Sequence, residues 1–208
     1  MTDLKKDKII IFDCFGTLLQ IPENNAYPNL IKKTKADKNL FVHDLMITMN
    51  FDWMEILKND ENPNEIITEF NKDLEYENSI ITPYPQTLNI LNKLRKKFHI
   101  VLLSNLSEGY IPSIEKNLRS HMDFIYYSCE IGKKKPNIDC FIHVIEDLEN
   151  KIGKINRESV FLVDDKVKNI SAFNKTGGTG FLIHTKSDDT SIKKANDIVD
   201  FFNLVSED

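Results

Sequence analysis

Five short apolar runs, at residues 8–12, 99–103, 124–127, 160–163 and 181–184, are rich in β-branched and aromatic side chains and hold no charge in their interiors. Runs of this kind predict strands buried on both faces. Between and after them the apolar positions recur every three to four residues, over 85–97, 111–118, 136–148, 166–175 and 191–202. That spacing predicts helices with one buried face. Strands alternating with helices predict the α/β class, a parallel sheet with helices on both faces. Pro85, Pro112 and Pro136 are assigned to first helical turns, where a missing amide hydrogen costs nothing.

One interval breaks the alternation. From 21 to 82 no strand pattern occurs, only helical patterns at 36–49, 52–58 and 63–75. This predicts an α-helical insertion, residues 21–82, within a core built from 1–20 and 83–208. Pro22 on one side and Pro83 with Pro85 on the other punctuate its entry and exit.

Composition narrows the function classes. The 208 residues are 41% hydrophobic and 10% aromatic, enough for a core that removes roughly 70% of the unfolded surface from water. The net charge is 27 − 32 = −5 with no long basic block, which argues against nucleic acid as a partner. The apolar run at 9–12 stops at Asp13, far short of the ~20 residues of a membrane span, so no membrane association is expected. Three cysteines, Cys14, Cys129 and Cys140, are an odd number without metal-ligand spacing. Reduced thiols, no zinc and a cytoplasmic location follow as expectations. The oligomeric state is not legible. Lys32, Lys33, Lys35 and Lys38 read as a solvated helix face.

Ligands of an open parallel sheet bind at the carboxyl ends of its strands. There the sequence places Asp13 after the first run, Ser104 and Asn105 after the second, Lys135 in the loop after the third, and Asp164 with Asp165 after the fourth. Carboxylates crowded at one edge repel unless a cation compensates, and an oxygen-only donor set points to Mg²⁺ with open positions for phosphate oxygens. A nearby lysine neutralises further anionic charge. A carboxylate held ~3 Å from an electrophile attacks it and splits a hard hydrolysis into two steps.

Those elements, in that order, resemble the four motifs of the haloacid dehalogenase-like hydrolase superfamily. Phe12-Asp13-Cys14-Phe15-Gly16-Thr17-Leu18 resembles the first, Leu103-Ser104-Asn105 the second, Lys135-Pro136 the third, and Val163-Asp164-Asp165 with Asn169 the fourth. The resemblance implies a Rossmann-like core, with 21–82 as a helical cap of the first type, and a phosphatase-like activity. It implies that Asp13 is the nucleophile and that Mg²⁺ is held by Asp13, the backbone carbonyl of Phe15 and Asp165, with Asp164 close by or outer-sphere. Thr17, Ser104 and Asn105 would contact the phosphoryl group of a small phosphorylated substrate, and Lys135 would counter its charge.

Phe15 departs from that pattern. The position two after the nucleophile is usually a second aspartate in the family's phosphatases, and it protonates the leaving group. Phenylalanine supplies no proton, and general acid catalysis is typically worth ~10² to 10⁴ in rate. The expected substrates are therefore those whose leaving group departs unprotonated, such as acyl phosphates, phosphoanhydrides and aryl phosphates. A metal-independent 2-haloacid dehalogenase is one alternative, since that branch also carries an aromatic residue there and resembles this chain at Ser104-Asn105. It lacks the acidic pair, however, and uses an early cap arginine, whereas 21–82 contains no arginine. A catalytically weak domain kept for binding or regulation is a second alternative, opposed by the retention of Asp13, Thr17, Ser104 and Lys135.

Other signals carry little. Cys14 lacks the arginine six positions on that a cysteine phosphatase needs, since Gln20 stands there. Residues 176–180 are glycine-rich but are not followed by the lysine of a phosphate loop, and read as a helix stop. The five histidines show no ligand spacing. Phe41, Phe51, Trp53 and Met54 read as the apolar core of the insertion.

Overall fold

The computed structural model describes residues 6–21, 23, 25–35, 47–48 and 52–206. Six strands form one sheet: β1 (Lys8–Phe12), β2 (Phe98–Ser104), β3 (Phe124–Tyr127), β4 (Val160–Asp164), β5 (Thr179–Ile183) and β6 (Lys193–Ala195). Its order is β3-β2-β1-β4-β5-β6, and every neighbouring pair is parallel. The helices among the described residues are α1 (Ala26–Lys33), α2 (Trp53–Ile56), α3 (Pro63–Ile80), α4 (Thr87–Leu94), α5 (Ile111–Leu118), α6 (Ser128–Ile131), α7 (Ile138–Ile152), α8 (Val167–Asn174) and α9 (Ile198–Ser206). The α/β class expected from the alternation is what the chain adopts.

The period of two along each strand divides the interior into two cores. Ile10 and Phe12 of β1, with Ile100 and Leu102 of β2, pack with Ile90 and Leu91 of α4, Ile114 of α5 and Phe201 of α9. Ile9 and Ile11, with Val101 and Leu103, pack with Phe141, Val144 and Leu148 of α7 and Phe173 of α8. Helices therefore cover both faces. Each fully buried side chain of this size stabilises the fold by roughly 1.5 to 3 kcal/mol.

Strand order runs outward from β1 through β2 to β3, then restarts on the other side of β1 with β4. In open sheets of this kind ligands bind at the carboxyl ends where the order reverses. Register decides what meets there. Phe12 pairs with Leu102 on one side and with Val163 on the other. One residue later, Asp13 is level with Asp164, and its backbone N–H donates to the Val163 carbonyl at 2.9 Å.

Three predicted elements differ. The helix predicted over 191–202 divides into the edge strand β6 and α9. Lys193 and Lys194 are exposed and Ala195 is buried, and the two lysines on this edge strand guard it against further pairing. Asp197 Oδ1 then accepts from the Val199 and Asp200 amides and sets the start of α9. Pro112 lies in the first turn of α5 as expected. Pro85 and Pro136 instead precede α4 and α7 by two residues, with Gln86 at φ 65° and Asn137 extended as the intervening caps.

Between β1 and α4 the described residues form helices and no strand. Helix α1, for which no pattern was assigned, packs on α3, and α3 runs five residues past its predicted end. The helix predicted over 36–49, with Phe41 and Lys38, falls almost wholly outside the described residues, as do Phe51 and Pro22. Trp53 packs on Phe70 at 5.3 Å between ring centroids and on Tyr27 at 6.0 Å, so its ring joins the same apolar cluster as Ile10 and Phe12, whereas Met54 is exposed. Lys33 and Lys35 form exposed ion pairs with Glu69 and Glu61. Residues 18–20 and 82–84 run side by side, with Gln20 N donating to Thr82 O and Tyr84 N to Leu18 O, each at 3.0 Å.

Candidate active site

Four carboxyl-terminal strand ends and the loops after them supply the site. Asp13, buried to 5% exposure, and Asp164, with none, come from β1 and β4. The Lys135 side chain, also buried, reaches between them from the loop after α6. Its Nζ donates to Asp13 Oδ1 at 2.5 Å and to Asp164 Oδ2 at 2.8 Å. Asp164 is held further by Asn169 Nδ2, 2.8 and 2.9 Å from its two oxygens, and by the Lys166 amide at 2.9 Å. The Thr17 hydroxyl is 3.4 Å from Asp13 Oδ2.

Asp165 completes the acidic group. Ligand oxygens of Asp13, Asp164 and Asp165 all lie within 4.8 Å of one another. Asp165 Oδ1 is buried without a hydrogen-bond partner among the described residues. Gly16 makes the close approach possible. It sits at φ 84°, and a Cβ there would stand 2.6 Å from Asp165 Oδ2. Any side chain at that position would push the carboxylate away while straining the backbone.

The charges do not balance. Three carboxylates face one ammonium, and each like-charged pair about 4 Å apart costs roughly 4 kcal/mol at an effective dielectric of ~20. Burial, opposed by Lys135 and reinforced by Asp164, raises Asp13 from 3.8 to about 6. Burial likewise raises Asp165. Lys135 is raised despite its burial, because Asp13 and Asp164 hold its proton. An oxygen-only donor set, surplus negative charge and an orphaned buried carboxylate oxygen together fit a hard dication such as Mg²⁺.

The remaining expected site residues fall around this centre. Ser104, 1% exposed, ends β2. The Asn105 side chain, expected to contact the phosphoryl group, turns instead to the Lys135 backbone: its Nδ2 donates to Lys135 O at 2.8 Å and its Oδ1 accepts from Lys135 N at 2.9 Å. The Phe15 ring lies edge-on against Tyr110, 6.0 Å between centroids. Burial first, and then the Asp13 carboxylate, push the Cys14 thiol well above its ordinary range, so it is no thiolate nucleophile.

A model of the haloacid dehalogenase-like hydrolase family matches residues 8–177. The chain belongs to that family. A relative in Schizosaccharomyces pombe, named as an uncharacterized hydrolase, is 23% identical over 211 residues, covering 82% of this chain and 87% of its own. A HAD family enzyme from Bacteroides thetaiotaomicron, solved as a magnesium complex, is 19% identical with a TM-score of 0.65, over 90% of this chain and 98% of that one. The same enzyme was also solved with magnesium and inorganic phosphate, TM-score 0.62, 19% identical over 88% of this chain and 98% of that one. A structure described as a dehalogenase is 13% identical, TM-score 0.60, over 97% and 98% of the two chains. At these identities the likeness is one of fold.

Sequence reasoning missed a second hydrogen-bonded centre beside the site of this family member. Glu77 of α3 is 3% exposed, yet its Oε2 accepts from the Tyr110 hydroxyl at 2.6 Å and its Oε1 from the Ala26 amide at 2.9 Å and the Asn25 amide. It caps α1 from another helix, where Asn25 supplies no side-chain cap. Burial, and then Glu77, raise the Tyr110 hydroxyl, keeping it a donor. The one available signal was an acidic residue at an otherwise apolar helical position after Phe70 and Leu74.

Proposed function

We propose that this hydrolase cleaves a small phosphorylated molecule in two steps, with Mg²⁺ bound and Asp13 as nucleophile. The single observation that carries the reading is Asp13 within 4.8 Å of Asp164 and Asp165 while Lys135 Nζ touches it at 2.5 Å. The magnesium and phosphate bound by the Bacteroides enzyme lend support through shared fold. In this reading 21–82 is a cap over the site, consistent with residues 18–20 and 82–84 running side by side at its two ends.

Asp13, Asp165 and the Phe15 carbonyl would hold the ion, with Asp164 close by. Bound there, Mg²⁺ supplies positive charge against phosphoryl oxygens and against the carboxylates. A carboxylate oxygen of Asp13 bonds to phosphorus, and the bond from phosphorus to the leaving group breaks, its electron pair departing on the leaving oxygen. Water then attacks phosphorus, the Asp13–phosphorus bond breaks, inorganic phosphate forms and the proton passes to solvent or phosphate. Thr17 and Ser104 orient the phosphoryl group and Lys135 neutralises it. Catalysis of this kind is mostly positioning and electrostatics.

Phe15 sets the preference. With a ring packed on Tyr110 where the family's phosphatases carry an acid, the leaving oxygen departs unprotonated, so aryl and acyl phosphates outrun alkyl phosphates. The test compares an aryl phosphate, an acyl phosphate, an alkyl phosphate and a 2-haloacid, each with Mg²⁺ and with chelator. Aryl and acyl phosphate turnover only with Mg²⁺ is the expected result. Haloacid turnover in chelator would transfer the assignment to a dehalogenase, and Mg²⁺ binding without any turnover to a binding domain. Phe15→Asp is expected to raise alkyl phosphate hydrolysis, and an unchanged rate would show that the missing acid does not limit the site.

A further inference from the structure

We propose that Asn105 is the positioning residue for Lys135, acting on the chemistry only through where it holds that ammonium. This rests on the reading of Lys135 as the group that counters phosphoryl charge. The amide of Asn105 pairs with both backbone polar groups of Lys135, donating to its carbonyl at 2.8 Å and accepting from its N–H at 2.9 Å. A primary amide used in this way imitates a neighbouring strand. It fixes the Lys135 backbone relative to the end of β2 although the loop that carries Lys135 belongs to no strand.

The consequence lies at the far end of the side chain. Lys135 Nζ bridges Asp13 at 2.5 Å and Asp164 at 2.8 Å, while its side chain is 1% exposed. A bridge between two carboxylates on different strands tolerates little displacement of the loop, and misplacement by about 1 Å costs as much as ~10²-fold in rate. Ser104 ends β2, and Asn105, the next residue, holds the backbone that carries the cation, so the two move together. Glutamine is one methylene longer, and aspartate has no hydrogen for the Lys135 carbonyl, so neither replaces asparagine here.

Two measurements test this. The first needs no turnover. In chelator, the buried Lys135 ammonium gives a slowly exchanging ¹H–¹⁵N signal, assigned by its absence in Lys135→Met. Asn105→Asp and Asn105→Ala are expected to broaden or remove it, with the backbone spectrum otherwise retained. An unchanged ammonium signal in a folded Asn105 variant would overturn the proposal whether or not the protein hydrolyses phosphates. The second is a double-mutant cycle on aryl phosphate turnover. Asn105→Asp is expected to lower kcat roughly 10- to 100-fold, and to cost less than about twofold further when placed on Lys135→Met. Additive losses would mean that Asn105 acts independently of Lys135, which also overturns it. Should Asn105→Ala fail to fold, the isosteric Asn105→Asp carries both measurements.

Discussion

Two acidic centres lie side by side in this molecule and are built on opposite terms. Glu77 is a buried carboxylate surrounded by neutral donors, with a hydroxyl and two amides directed at it. Asp13, Asp164 and Asp165 are three carboxylates around one ammonium that bonds the first two, and Asp165 Oδ1 has no hydrogen-bond partner among the described residues. The first is satisfied and fastens helices α1 and α3 to the Tyr110 loop. The second is left short of partners among the described residues, a state that a bound cation would relieve. Buried charge alone does not mark a functional site; buried charge left short of partners does.

The difference is broken most directly by removing one carboxylate from each centre. Asp13→Asn is expected to lower turnover of an aryl phosphate by on the order of 10⁴-fold or more, with the fold retained. Glu77→Gln is expected to leave kcat within tenfold; a loss as large as that of Asp13→Asn would erase the distinction. Mg²⁺ provides the next largest effect. At 100 times its Kd it stabilises a single-site protein by about 2.7 kcal/mol, so thermal melts should rise for wild type and not for Asp165→Asn. Equal shifts in both would place the ion elsewhere. Glu77→Gln itself should cost about 2 kcal/mol in urea unfolding, the worth of a hydrogen bond to a charged group, and no change there would mean that Glu77 fastens nothing.

The smallest effect concerns pH and has opposite signs at two aspartates. Burial raises Asp13 from 3.8 to about 6, so between those values the folded chain holds a proton that the unfolded chain has lost. In chelator its contribution to stability is therefore greatest at low pH and falls as pH rises from about 4 to about 6. Asp123 behaves in reverse. Burial would raise it, but the Ile100 amide, Arg95 and Lys6 outweigh that and hold it below its ordinary value. Its contribution is present above that ordinary value and lost as pH falls. Asp13→Asn should flatten the first slope, and Asp123→Asn the second, in denaturation midpoints measured from pH 3 to 7.

Legibility followed the range of the interaction. Five strands were readable because their apolar runs report burial locally, and the placement of Asp13, Ser104, Asp164 and Asp165 at the carboxyl edge of the sheet because each ends or follows such a run. β6 was not, since two of its three residues are lysines and its pairing depends on β5 lying beside it. α1 was hidden because its apolar positions Ala26, Tyr27 and Leu30 are few, and its cap comes from Glu77, 51 residues away from Ala26. The same distance problem concealed the use of Asn105, whose partner is 30 residues on.

The amino-acid sequence by itself determined which residues carry charge, which stretches bury themselves, and the order in which chemistry-bearing groups arrive at the strand ends. Tertiary structure alone decided which of those charges end unpaired. Register places Asp13 level with Asp164, Gly16 leaves room for Asp165, and Asn105 sets Lys135 between the first two. Satisfaction of a buried group depends on neighbours brought from remote positions by packing, and no local pattern encodes them.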